Sequence, residues 1–212
     1  MAGHADIFRD RKGVTMAEQK SKKANRINIK NLVYCKLLTD EAGSATYGEV
    51  KPLSPAMQIQ VTASLASGVL YGDGAQEENI AKMTGLAVAL DVNKVPIEDR
   101  AEILGNKFEN GVLAETAGDE APYIALGYEV PETNGCKELI WLLKGRAQPY
   151  NSNVQQSTDN INFSTDSITI NFIPRTSDGM LRFFGDTANA ELTEQQISKW
   201  FTTGPSKVPT GA

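Results

Sequence analysis

A mainly β chain is predicted here: a sandwich-like body with one or two short flanking helices, extended loops and an N-terminal arm. Three observations carry that expectation. Apolar residues recur at every second position in several separate segments, the period of a half-buried strand. The turn-forming pairs Asn134-Gly135 and Asp178-Gly179 sit between such segments, where hairpin connections form. Helix boundary signals occur together only over residues 96–104 and 193–201. With 41% hydrophobic residues in 212, the chain can bury one substantial core without disulfides or metal. The expected organisation is a basic arm over 1–26, a β domain over 27–204 and a short tail over 205–212.

Residues 26–38 (RINIKNLVYCKLL) begin by alternating and become apolar on both faces, as a strand entering a core does. Residues 39–51, with Gly43, Ser44 and Gly48 close together, read as a loop. In 56–65, Met57, Ile59, Val61, Ala63 and Leu65 alternate with Gln58, Gln60, Thr62 and Ser64, a polar face without charge. Residues 71–79 (YGDGAQEEN) form a turn-rich acidic tip carrying Asp73, Glu77 and Glu78. In 85–92, Leu86, Val88, Leu90 and Val92 alternate with Ala87, Ala89 and Asp91. Residues 96–104 predict a helix with Ile97, Ala101 and Leu104 on one face and Gly105 as its cap, and 111–115 a short strand. Strands 123–130 and 136–146 flank the Asn134-Gly135 turn, and 148–161 is a polar loop with marginal strand content.

Residues 167–175 (SITINFIPR) put Ile168, Ile170 and Phe172 on one face and Thr169 and Asn171 on the other, with 180–184 expected as the returning strand of a hairpin. Thr193 and Gln196 have capping-box spacing, with Leu192 and Ile197 placed as a hydrophobic staple. Ile197, Trp200 and Phe201 then form the stripe that docks the helix, and Gly204-Pro205 stops it.

Charge is unevenly placed. Residues 1–30 carry eight Lys/Arg against Asp6, Asp10 and Glu18, a net of +5, so an overall −5 leaves residues 31–212 at −10. The arm has one aromatic, Phe8, and no recognition motif, so a solvated arm is expected over a nucleic-acid reader. Met16 could be an internal start. No apolar run approaches the roughly 18 residues of a spanning helix. The N-terminus lacks a signal peptide's apolar core, and Cys35 and Cys136 form no CxxC, so a soluble protein made in a reducing cytoplasm is expected.

Most catalytic apparatus is missing. His4 is the only histidine, and no GxSxG, GxxxxGK[ST] or GxGxxG occurs, so no enzymatic activity, cofactor or metal is expected. The acidic groups Asp73, Glu77-Glu78, Glu98-Asp99 and Asp119-Glu120 lack calcium-loop spacing and fall at turns or helix starts. Trp141 and Trp200 lie in apolar runs that point to packing and not to a sugar-binding platform.

The order of LVYCKL, TYGEVKPL, LYGDGAQEEN, ILGNKFENGVLAE, PYIALGYEV, ELIWLLKGRAQP, ITINFIPRTSDGMLRFF and a closing helix ending KWF resembles the major tail proteins of long-tailed, non-contractile phages, the subunits of the tail tube. The resemblance spans residues 27–204, and the basic N-terminal extension departs from it. It implies a structural virion protein assembled in the host cytoplasm into hexameric rings, stacked as a hollow tail tube. Partners would be other copies of the chain, a tape-measure protein, and tail terminator or tip proteins. Genomic DNA would pass through the lumen during ejection without specific binding. Since basic walls hold DNA by releasing its counterions, the channel should be acidic to neutral, and six −10 bodies would carry about −60.

The candidate lumen or ring-contact residues are Gln58, Gln60, Thr62 and Ser64, or alternatively Ala87, Ala89 and Asp91, with Asp73, Glu77 and Glu78 at the joining tip. The loops 39–55 and 148–160, with the basic arm, are candidates for bridging subunits. A tube subunit of a related injection machine or gene-transfer particle remains open, as does a β-sandwich carbohydrate or adhesion module.

Overall fold

The computed structural model describes residues 24–73, 75–149, 151–152, 154, 156 and 164–206. The expectations placed on residues 1–23 and 207–212, and most of that on 148–161, lie outside them. The chain is mainly β, as expected. Its strands are β1 (Lys30–Glu41), β2 (Ser44–Tyr47), β3 (Lys51–Pro52), β4 (Ala56–Gly72) and β5 (Ala75–Val92). After helix α1 (Ile97–Leu104) come β6 (Lys107–Glu109), β7 (Val112–Ala114), β8 (Tyr123–Pro131) and β9 (Lys137–Ala147). The last elements are β10 (Asn151–Ser152), β11 (Asp166–Phe172), β12 (Arg182–Asp186) and helix α2 (Glu194–Lys199).

Ten strands form one sheet along the path β2-β1-β8-β9-β11-β5-β4, and β6 and β7 make a separate hairpin. The two facing layers of the body belong to this one continuous sheet, which folds over its own core. Alternate side chains of β1, β8 and β9 enter one core cluster: Tyr34, Ile124, Leu126, Ile140 and Leu142 meet Leu86, Val88 and Leu90 of β5 and Ile168, Ile170 and Phe172 of β11. The intervening residues Cys35, Ala125, Leu139, Trp141 and Leu143 enter a second cluster, covered by Phe183 of β12 and by Trp200. Because both faces of β8 and β9 are covered, their sequences are apolar without alternation. Two glycines make room for the largest rings: a Cβ on Gly127 would lie 2.9 Å from the Trp141 ring, and one on Gly145 2.5 Å from that of Phe172. Both cysteines are buried and free.

The local signals act as their chemistry dictates. The Asn134 side chain accepts from the Cys136 N–H at 2.8 Å and Gly135 takes φ +82°, turning β8 into β9. Gly105 caps α1 at φ +75°. The Thr193 hydroxyl accepts from the Gln196 N–H, while the Gln196 side chain accepts from the Thr193 N–H at 2.9 Å. Leu192, Ile197 and Phe201 pack against the second core cluster. Trp200 is 3% exposed, and its carbonyl accepts the Trp141 Nε1–H at 2.9 Å.

Several expectations are corrected. Residues 39–51 are no open loop: β1 runs on to Glu41 and turns at Gly43 into β2, and β3 pairs with β1 as well. Arg26 bridges to Glu132 and lies 2.7 Å from Glu138, so the body begins before Ile27. On α1, Ala101 and Leu104 are buried as expected, but Ile97 is exposed and Ile103 is buried in its place. The helix is oriented by the Tyr34 hydroxyl, which lies 2.9 Å from the carboxylates of both Asp99 and Glu102.

The largest correction concerns β11 and β12, which do not form a hairpin. β11 pairs with Gly145–Ala147 and β12 with 138–142, so both run in one direction along the same edge of β9. The Asp178-Gly179 turn is real, with Gly179 at φ +69°, but it caps an excursion that leaves β9 and returns to it. That excursion is held by Asp40 of β1, which accepts from Lys144 Nζ (2.6 Å) and from the N–H groups of Thr176 (2.8 Å) and Ser177 (2.9 Å). The side chains of Asp40 and Lys144 are only 7% and 11% exposed. Burial pushes the Asp40 carboxyl up, but Lys144 and the two N–H groups outweigh it and hold it well below the usual carboxylate range. Asp40→Ala should therefore cost about 3 kcal/mol at pH 7, since it leaves a buried ammonium unpaired. The depressed folded value means that this stability is full above about pH 4 and fades as pH falls further. Thermal melts from pH 7 to pH 2 should show a smaller acid-induced loss in the variant than in the parent chain, and equal losses would refute the clamp.

Candidate assembly interface

β4 and β5 are 17 and 18 residues long, far beyond what the body needs. β5 pairs with β11 only from Leu86 to Val92. Beyond Gly85 the two strands continue alone as a ribbon, paired from Leu65↔Met83 out to Gly72↔Ala75. They part from the sheet where a Cβ on Gly85 would lie 2.7 Å from the Phe172 carbonyl oxygen. The expected tip over 71–79 is thus mostly paired strand: β4 runs to Gly72, β5 starts at Ala75, and Asp73 between them takes φ +48°. An isolated two-stranded ribbon is marginally stable in water, so its length needs a partner to make sense.

The ribbon's two faces follow from its register. On the core-facing side, Ile59↔Leu90, Val61↔Val88 and Ala63↔Leu86 are succeeded by Leu65↔Met83, Ser67↔Ala81 and Val69↔Asn79. The apolar row therefore runs out of the body without its cover. Leu65 is 63% exposed, Val69 45%, Tyr71 68% and Met83 40%. Leu70 and Ile80 stand exposed on the other side. These contiguous exposed apolar side chains make the ribbon the candidate interaction surface among the described residues.

The outer face nearer the body is of a different kind. Register sets Gln58 opposite Asp91, Gln60 opposite Ala89, Thr62 opposite Ala87 and Ser64 opposite Gly85. The two residue sets expected as alternatives are thus cross-strand neighbours on one surface. β11 extends it, with Ser167 opposite Asp91, Thr169 opposite Ala89 and Asn171 opposite Ala87. Over residues 58–64, 85–91 and 167–171 the only ionisable group is Asp91; Lys82, opposite Ala66, stands on the same face further out along the ribbon, and Asp166 stands opposite Val92. At the fringe, Arg146 sits opposite Asn171 and stacks 4.4 Å from the Tyr123 ring. Sequence reasoning noted the polar side of 167–171 but did not join it to this surface, because the β5–β11 pairing is non-local.

The acidic tip residues Asp73, Glu77 and Glu78 are exposed, Glu78 opposite Leu70. The remaining candidates, Ile197, Trp200 and Phe201, lie at the opposite layer, packed on the second core cluster. The outer edge of β4 has no strand beside it among the described residues. Among those residues no helix is long and apolar enough to cross a membrane. No protein-family model matches the chain, and no curated protein matches it either.

Proposed function

We propose that the chain is a structural subunit that self-assembles into a hollow tube, as the major tail protein of a long-tailed phage does. The observation that carries this reading is the apolar row of the β4–β5 ribbon, which leaves the body with Leu65, Val69, Tyr71 and Met83 uncovered. Leu65, Val69, Tyr71 and Met83 pack on a neighbouring copy, and the open edge of β4 is covered by the next subunit's backbone. Copies form rings, and rings stack into a tube in the virion. The tape-measure protein occupies the channel during assembly, terminator or tip proteins close its ends, and DNA later passes through.

A conduit must avoid holding its cargo. Each lysine or arginine facing duplex DNA adds a salt-dependent contact, whereas amides, hydroxyls and methyl groups add almost none. The surface of Gln58, Gln60, Thr62, Ser64, Ala87, Ala89, Asp91, Ser167, Thr169 and Asn171 meets that requirement and lines the channel in this reading. Replacing Gln58, Gln60 and Asp91 by lysine should leave tubes intact and slow DNA ejection, the more so at low ionic strength. Ejection at the parental rate from particles carrying all three lysines would contradict the placement.

A further inference from the structure

The chain contains two Asn-Gly pairs, Asn110-Gly111 and Asn134-Gly135, and the fold treats them differently. Each stands at the turn of a hairpin with its glycine at positive φ, +80° at Gly111 and +82° at Gly135. Asn134 is half-buried, and its side-chain oxygen accepts the Cys136 N–H at 2.8 Å. The Gly135 N–H is itself engaged, donating to the Glu132 carbonyl at 3.1 Å. The strands that meet there, β8 and β9, pair from Tyr123↔Arg146 to Pro131↔Lys137 and are largely buried in the main sheet. Asn110, by contrast, is exposed at φ +52°. Among the described residues no hydrogen bond holds its side chain, and the Gly111 N–H has no backbone acceptor. Its strands β6 and β7 pair only at Lys107↔Ala114, Phe108↔Leu113 and Glu109↔Val112, and form a sheet of their own. So short and isolated a ribbon opens at far lower free energy than the centre of a large sheet.

We propose that Asn110 is a modification site, where the chain deamidates through a succinimide, and that the fold protects Asn134 from the same reaction. The Gly111 backbone nitrogen loses its proton to hydroxide and attacks the Asn110 side-chain carbonyl carbon. A new N–C bond forms as the bond to the side-chain nitrogen breaks, and that nitrogen takes a proton from water and leaves as ammonia. Water then opens the ring at one of its two carbonyls, giving aspartate or isoaspartate. Nothing is oxidised or reduced, and water is the only co-reactant. Glycine suits the step because no Cβ crowds the attacking nitrogen. Once the short hairpin opens, the unbonded Asn110 side chain is free to rotate into the attack geometry. At Asn134 both reacting groups must first give up hydrogen bonds, in a turn clamped by long buried strands. Either product places a new carboxylate beside Glu109, which pairs with Lys107 at 3.1 Å. Isoaspartate also adds a backbone carbon to the two-residue turn that sets Glu109 opposite Val112, so it disrupts that register.

The test incubates the full chain at 37 °C and pH 8, folded and in guanidinium, and follows peptides cut after glutamate by mass spectrometry. Cleavage after Glu109 and Glu132 places the two asparagines on separate peptides. In the folded chain the gain of about one dalton should appear at least tenfold faster at Asn110 than at Asn134. In guanidinium the two rates should converge to within about threefold, because both asparagines precede glycine and only the fold distinguishes them. Equal rates in the folded chain, or a faster rate at Asn134, would overturn the proposal. So would an Asn110 that stays intact in the folded chain while the denatured chain reacts. A difference that persists undiminished in guanidinium would also overturn it, since the selectivity would then come from neighbouring residues. The proposal is independent of tube formation: a chain that never forms rings would show the same two rates.

Discussion

Replacing Leu65 and Val69 by aspartate yields a folded monomer that no longer assembles. Both side chains lie on the core-facing side of the ribbon, beyond the last pair that the body covers. Burying a leucine or valine against a neighbour is worth roughly 1.5–3 kcal/mol each. A carboxylate in that contact removes the gain and adds a desolvation cost. The loss at each contact should reach about 5 kcal/mol, between three and four orders of magnitude in dissociation constant. A closed ring repeats the defect at every joint. Sedimentation velocity should show the parent chain as large species and the variant as a monomer at the same concentration. Melting temperatures of the two monomers should agree within about 2 °C, because neither residue contributes to the core. Assembly of the variant at parental concentrations would remove the ribbon from the interface.

Trp200→Ala should be the most damaging single change within the body. The indole fills the space beside Gly185, where a Cβ would lie 3.0 Å from the ring, and it joins α2 to the cluster around Trp141. Emptying such a site costs roughly 3–5 kcal/mol. For a domain of this size that lowers the melting temperature by about 10 °C. Trp200→Phe should recover part of the loss, because it refills volume without needing the indole N–H. A melting temperature unchanged by Trp200→Ala would mean that the terminal helix is not part of the cooperative unit.

Features set by neighbouring residues were legible in the sequence. The Asn134-Gly135 turn, the Thr193–Gln196 capping box and the Gly105 cap each depend on a few adjacent groups, and they form as expected. Alternation in 85–92 and 167–172 located the buried faces, because one side of each strand meets the core. What failed was set by distant partners. Nothing near Asp178-Gly179 reveals that β9 is long enough to accept both β11 and β12 on one edge, so a local turn suggested a hairpin that does not exist. Ile103 is buried in place of Ile97 because Tyr34, far away in sequence, fixes the rotation of α1 through Asp99 and Glu102.

The candidate interface was legible to the same degree and for the same reason. Gln58, Gln60, Thr62, Ser64 and Asp91 stood out because a strand face almost free of charge is unusual. Their union with Ala87 and Ala89, and with Ser167, Thr169 and Asn171, needed the register. The ribbon's length was hidden because Gly68, Gly72 and Gly74 resemble turn residues, and because cross-strand pairing, not composition, keeps residues 66–72 and 75–83 extended.

Electron microscopy of the purified full chain over a rising concentration series tests the central claim most directly. The account predicts rings with an open channel that stack into tubes and vanish when Leu65 and Val69 are aspartate. Uniform 23.0 kDa monomers at every concentration, with the ribbon's apolar row still exposed to solvent, would contradict it.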